Sequence, residues 1–278
     1  MNIAVIGLGL IGGSLCKAIK KYTDYACFGI DTDSDVISAA LNDRSIDKEI
    51  TPENLREADI SVICLYPKQI ISFASEHIAK FKKGSIVIDA GGIKTEICEK
   101  LQPVFQNSGV DFIGAHPMAG REFSGYGYSQ ADLFKNASFI VTPYPEIPGD
   151  KINVIKDLTN KIGFGKFVVS NPHEHDRIIA YTSQLAHIVS NAYVKSPAIE
   201  SKAGFSAGSF FDLTRVAKLN EEMWSSLMML NKDFLADELK NIIGNLNEYL
   251  HSLESGDKDY LYNLLKDGRI IKEKSEEK

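Results

Sequence analysis

The chain has 278 residues, 44% of them hydrophobic, and a formal net charge of -6 at pH 7. This composition suits a globular protein of one large or two ordinary domains and excludes disorder as the default. Lysines and arginines are scattered rather than clustered, which argues against a nucleic-acid surface but leaves local arginines able to bind small anionic substrates. No apolar run approaches the ~20 residues needed to span a bilayer, and the N-terminus enters a core strand at Asn2 without a basic leader. A cytoplasmic protein with no membrane contact is expected. The four cysteines, Cys16, Cys27, Cys64 and Cys98, form no C-x-x-C pair and read as reduced, buried thiols, so no metal site is expected.

The first predicted element is an apolar strand near residues 2–7, running into Gly7-Leu8-Gly9-Leu10-Ile11-Gly12 and an amphipathic helical run over 14–21. Gly7 permits a tight turn, Gly9 lets the backbone approach a pyrophosphate, and Gly12 lets the helix pack closely on the strand, with free N–H groups facing the phosphates. A second strand near 25–30 ends at Asp31, close to the spacing of a ribose-binding carboxylate. An acid there accepts from both ribose hydroxyls and repels a 2′-phosphate, which favours NAD over NADP. The expected cofactor residues are Gly7, Gly9, Leu10, Ile11, Gly12 and Asp31, together with Leu65, Pro67 and Gly91 at neighbouring strand ends.

Further strands are predicted near 59–65, 85–89, 111–115, 137–142 and 166–170, with helices between several of them. The alternation predicts an α/β fold, a Rossmann-type mainly parallel sheet domain over 1–170, with ligands beyond the carboxyl ends of its strands. Leu65-Tyr66-Pro67, Asp89-Ala90-Gly91-Gly92 and His116-Pro117 sit at such ends and are expected to line one crevice. His116 is the expected catalytic base: imidazole titrates near neutral pH and accepts a hydroxyl proton while hydride leaves the same carbon. The segment 120–134 is long for a loop and lies beside this site, as a lid or a disordered stretch would.

After Asn171-Pro172 the sequence turns helical, and residues 171–278 are predicted to form an all-α domain. Ile178, Tyr181, Leu185, Ile188 and Val189 make one apolar stripe; Trp224, Leu227, Met228, Leu230, Phe234 and Leu235 make another. The segment is thin for a core of its own, so a homodimer is expected. Gln184 and His187, three apart, share a helix face and either donate to a substrate or form a buried polar pair between helices. Arg215, among apolar neighbours, either pairs with Asp212 or forks onto a carboxylate ligand. His173-Glu174-His175-Asp176 follows a proline and is expected to cap a helix start in solvent. The charged end, 272–278, is expected to fray.

These residues together resemble the prephenate dehydrogenase family, the oxidative enzymes of tyrosine synthesis. The resemblance covers roughly 1–250: G-L-G-L-I-G-G-S-L at the start, D-A-G-G-I-K at 89–94, G-A-H-P-M-A-G-R-E at 114–122, S-Q-L-A-H at 183–187, and F-D-L-T-R-V-A at 211–217 with Trp224 beyond. It implies that NAD takes hydride from C4 of prephenate as the ring carboxylate leaves as CO2, giving 4-hydroxyphenylpyruvate. His116 would then take the C4 hydroxyl proton, Arg215 bind a substrate carboxylate, His187 orient the ligand, and Glu122 gate the pocket. Two positions depart from the family: Gly92, where many relatives carry a serine, and Gln184, where relatives often have histidine. With no regulatory or chorismate mutase segment recognised, a monofunctional enzyme is expected, with tyrosine competing at the active site. The alternatives are an arogenate dehydrogenase, a hydroxyacid dehydrogenase built on the same cofactor domain, or a non-catalytic NAD-binding sensor.

Overall fold

The structure is a computed structural model that describes residues 1–121 and 123–276. Its strands are β1 (Asn2–Ile6), β2 (Ala26–Ile30), β3 (Lys48–Glu49), β4 (Ile60–Ile63), β5 (Ile86–Asp89), β6 (Asp111–Pro117), β7 (Ser138–Pro143) and β8 (Lys166–Val169). They form one sheet in the order β3-β2-β1-β4-β5-β6-β7-β8. Every neighbouring pair is parallel except β6 and β7. The sequence pattern misses only β3, a two-residue polar edge strand that pairs Lys48 with Phe28 and Glu49 with Gly29.

Five helices cover the sheet: α1 (Leu10–Tyr22), α2 (Ser34–Asn42), α3 (Pro67–Glu76), α4 (Thr95–Phe105) and α5 (Gly149–Lys161). Side chains alternate across a strand, so β1 feeds both layers. Ile3 and Val5 pack with Leu15, Ile19, Ile37 and Leu158 under α1, α2 and α5. Ala4 and Ile6 pack with Ile70, Ile97 and Leu101 under α3 and α4. The strand order reverses between β1 and β4, which opens a crevice beyond their carboxyl ends.

Because β6 and β7 are antiparallel, the chain between them stays on that same side of the sheet. The 120–134 segment was expected as a lid or a disordered stretch, and most of it is neither. Tyr126 is buried, and its hydroxyl donates to the Asp43 carboxylate at 2.8 Å and lies 2.9 Å from Ser45 Oγ. The Gln130 N–H donates to Ser14 Oγ of α1 at 2.9 Å. Gly13 is what admits this loop: a Cβ there would lie 2.7 Å from the Tyr126 ring.

The remainder is helical: α6 (Pro172–Ile179), a π-helical turn (Ala180–Leu185), α7 (Ala186–Tyr193), α8 (Gly208–Thr214), α9 (Glu221–Leu230), α10 (Lys232–Ser255) and α11 (Lys258–Glu276). Among the described residues no strand follows Val169, and no helix is long and apolar enough to cross a membrane. The core here is small, with Ala180, Leu185 and Leu235 fully buried and Ile188, Val189, Met228 and Phe234 against them. Ile178 and Tyr181, expected in the first apolar stripe, are exposed instead. The wide turn at 180–185 inserts a residue into the helical repeat and rotates the inward face by about 100°. Of the segment 272–278, expected to fray, residues 272–276 continue α11 with Arg269–Glu273 and Lys272–Glu276 ion pairs, and 277–278 lie outside the described residues.

Tyr126→Phe removes hydrogen bonds to a carboxylate and a hydroxyl while keeping the ring. We expect a loss of about 1–2 kcal/mol in denaturant unfolding, with faster proteolysis confined to the 120–134 segment.

Candidate active site

The first wall of the crevice is the turn from β1 into α1. Gly7 has φ +85°, and a Cβ on it would lie 2.6 Å from the Cys64 carbonyl oxygen. A Cβ on Gly12 would lie 1.9 Å from the Gly7 carbonyl oxygen, so α1 starts pressed against the end of β1. At Gly9, the residue preceding α1, nothing lies within 4 Å of the Cβ position. No side chain caps this helix start, which leaves N–H groups of Leu10 and Ile11 without intrahelical acceptors. An open backbone at a positive helix end fits a pyrophosphate. Asp31 braces the turn: one carboxylate oxygen accepts from the Leu8 N–H at 2.7 Å and the other from the Asp33 N–H at 3.0 Å.

Leu65 and Pro67 follow β4 at the same edge, Leu65 half-buried against the Gly7 turn and Pro67 opening α3. Gly91 follows β5 and is held by packing. It is buried, its N–H donates to Asp89 at 2.8 Å, and a Cβ would run into Ile97 and the Asp89 carboxylate.

His116 stands half-buried near the end of β6, three strands from β1, or about 14 Å along the sheet. Behind it lies a feature the sequence reading left without a role. Lys94 and Asp89 form an ion pair with both side chains fully buried. Lys94 Nζ also donates to the Ala115 carbonyl at 2.6 Å, and Asp89 accepts from the Ala115 N–H at 3.0 Å. The residue before His116 is thereby gripped at both backbone groups.

A second missed group faces His116 from α6. His116 Nδ1 lies 2.9 Å from His175 Nε2, and His175 Nδ1 lies 2.7 Å from Asp176 Oδ1. His175 and Asp176 are buried, against the expectation that 173–176 is a solvated helix start. That expectation holds for the outer residues of the turn: Asn171 caps the Glu174 N–H, and Glu174 pairs with Arg177 in solvent. The inward face of α6 is His175, Asp176 and Ile179. Asp176 also accepts the Lys94 and Thr95 N–H groups, each at 2.7 Å, which stops the open start of α4. Burial favours its neutral form, but hydrogen bonds from His175 and these N–H groups outweigh that and hold the carboxyl below its usual range. Burial, then the neighbouring His175 and Lys94, press His116 well below the ordinary histidine value.

On the helical side, His187 is half-buried, with Nδ1 3.0 Å from the Val216 carbonyl and its ring 3.8 Å from that of Trp224. A carbonyl only accepts, so Nδ1 carries the proton and a neutral His187 presents Nε2 as an acceptor. Burial lowers its pKa, and Arg215 is near enough to lower it further. Arg215 itself is exposed, in the turn after α8. Gln184 realises the interhelical alternative: it is buried, donates to the Leu227 carbonyl at 3.3 Å and accepts from Asn231 at 2.8 Å. Glu122 lies outside the described residues.

The family model for the nucleotide-binding domain of prephenate dehydrogenase matches residues 15–169, and that for its dimerization domain matches 171–267. The chain belongs to the prephenate dehydrogenase family. The prephenate dehydrogenase of Lactococcus lactis subsp. cremoris is 29% identical to it, over 99% of this chain and 77% of its own length. The cyclohexadienyl dehydrogenase of Zymomonas mobilis is also 29% identical, over 96% of this chain and 94% of its own. Among solved structures, the prephenate dehydrogenase from A. aeolicus in complex with hydroxyphenyl propionate and NAD+ superposes with a TM-score of 0.86 at 23% identity, covering 99% of this chain and 98% of that one.

Within this family fold, the two departures differ in kind. A Cβ at Gly92 would meet only the Leu227 methyls, at 3.7 Å, so a serine fits there without strain. Gln184 is committed to its helix contacts.

The glycines give a paired test of the cofactor turn. Gly9→Ala, with open space around it, is expected to melt like the parent chain yet bind a dinucleotide about tenfold more weakly or worse by calorimetry. Gly12→Ala forces a steric conflict and is expected to cost about 1–3 kcal/mol, seen as a lower melting midpoint before any ligand is added.

Proposed function

We propose that this chain is an NAD-dependent prephenate dehydrogenase, converting prephenate to 4-hydroxyphenylpyruvate and CO2. The observation that carries the reading is the placement of the His116 imidazole at the carboxyl end of β6, on the same side of the sheet as an open glycine turn that fits a pyrophosphate, with burial pressing its pKa well below the ordinary histidine value. The residues that would hold the cofactor are Gly7, Gly9, Leu10, Ile11 and Gly12 on the phosphates, Asp31 on the ribose, and Leu65 and Pro67 along the edge. NAD+ bound there supplies the hydride acceptor.

His116 accepts the C4 hydroxyl proton as the C4–H bond gives up hydride, and the C1–carboxylate bond then breaks to release CO2. The electron pair from that bond aromatises the ring. His116 returns its proton to the phenolic oxygen, so the base is restored with no net proton released. A half-buried, weakly basic imidazole suits this shuttle, because it must part with the proton within the same turnover. Arg215 binds a substrate carboxylate through its planar fork, and His187, backed by Trp224, orients the ring from the helical side.

The sheet region 1–170 and helical region 171–278 act as separate domains in this reading. Leu246, Leu250, Leu253, Leu265 and Ile271 on α10 and α11 are more than half exposed, which supports a homodimer formed through that face. Tyrosine, which shares the product's ring, is expected to compete with prephenate, and the protein is placed in the cytoplasm.

Formation of NADH or NADPH with prephenate and with arogenate, each tried with NAD+ and NADP+, tests the reading. Prephenate with NAD+ is expected to be the preferred pair; no turnover with either substrate overturns it. His116→Asn should lower kcat at least about 1000-fold with dinucleotide affinity unchanged. Arg215→Ala should raise KM by about 30-fold, equivalent to ~2 kcal/mol for a charge-assisted bond. Only the neutral ring acts as base, and burial, His175 and Lys94 hold it neutral, with Asp176 and Asp89 balancing the nearby charge. The acid limb of kcat is therefore expected below about pH 6.5, the ordinary histidine value.

A further inference from the structure

We infer that His175 is a positioning residue that locks His116 in its Nδ1–H tautomer, so that Nε2 carries the lone pair turned to substrate. The inference rests on the reading of His116 as the base. It follows from donors and acceptors along one chain of contacts. Asp176 already accepts the Lys94 and Thr95 N–H groups and, as a carboxylate, can only accept. The ring nitrogen 2.7 Å from it, His175 Nδ1, must therefore carry a proton. Burial keeps His175 neutral, which leaves its Nε2 without one. That bare nitrogen lies 2.9 Å from His116 Nδ1, which must then be the donor.

The consequence bears on catalysis. A histidine side chain free in water prefers the Nε2–H form, and a His116 in that form would point a donor, not a lone pair, at the substrate hydroxyl. The hydrogen bond made by the far nitrogen decides the matter. The same chain spreads the positive charge that His116 gains on taking a proton toward Asp176, across one intervening ring. His175 is buried, so solvent has little access to take over its part.

The lock has a readout independent of turnover. In protein labelled with 15N-histidine, long-range proton–nitrogen correlations report the tautomer of each ring. His116 and His175 are both expected as Nδ1–H at neutral pH; His116 found as Nε2–H overturns the inference even in an active enzyme. Two variants separate positioning from packing. His175→Gln places an amide oxygen where Nε2 lay, still accepts from His116, and is expected to keep kcat within about tenfold. His175→Phe fills the space without an acceptor, and is expected to shift His116 to Nε2–H and lower kcat about 100-fold or more, with dinucleotide affinity and KM little changed. Equal losses in the Gln and Phe variants, or full kcat in the Phe variant, overturn the lock. If the parent chain turns over neither prephenate nor arogenate, the functional reading fails while the tautomer spectrum still decides this inference.

Discussion

The buried ion pair between Lys94 and Asp89 is the constraint on which the rest of the site depends. Taking two charges fully out of water is costly, and the arrangement holds only because nearly every polar atom finds a partner. Asp89 accepts from Gly91, Ala115 and Lys94; Lys94 donates to Asp89 and the Ala115 carbonyl. Removing one member would strand the other charge in the interior, a loss of about 3–5 kcal/mol. What the pair contributes is position. It ties the carboxyl end of β5 to the backbone of β6 one residue before His116, so that histidine stands on a rigid strand end and not on a loop.

The glycines follow from the same crowding. Gly91 is required because Asp89 and Ile97 fill the space a side chain would need, and Gly114 because Cys98 and Thr142 close in on it at 2.6 and 2.5 Å. Gly7 and Gly12 are fixed by backbone contacts across the turn. Gly9 alone in the cofactor motif has open space beside it, as expected where a ligand and not the protein makes the close approach. In this motif two glycines answer the packing of the turn, and the third leaves the backbone open to solvent.

Much of the fold is legible in the sequence because its signals are local. Apolar runs of strand length, the glycine turn and the carboxylate at Asp31 each lie within one βαβ unit. His116 is singled out in the sequence by its place, a histidine among small residues at a strand end in the half that carries the glycine turn. The parts that escape the sequence are those made by long-range contacts. His175 meets His116 across 59 positions, and Asp176 meets the N-terminus of α4 across 82. A histidine and an aspartate just after a proline look like a solvated helix start until a partner is brought to them. The hydrophobic stripe through Tyr181 misleads for a related reason: a single inserted residue in the π-helical turn changes which face is inward, and no side-chain pattern announces it.

Those same long-range contacts join the two parts of the molecule. His116 belongs to the sheet, and its partner His175 belongs to the first helix after it. Asp176 grips the start of α4 on one side, while its backbone carbonyl accepts from Asn231 at 2.9 Å, at the junction of α9 and α10. Asn231 in turn holds Gln184 in the wide turn that precedes His187. A single polar chain thus runs from His116 through α6 to the helices carrying His187 and Trp224. Polar groups buried this deeply tolerate little misalignment, since each lost partner leaves an unsatisfied atom away from water. The helical part can therefore seat on the sheet in few ways, and the way that satisfies Asp176 is also the way that brings an acceptor to His116 Nδ1. Docking of the helices and placement of the His116 ring are, on this geometry, one event.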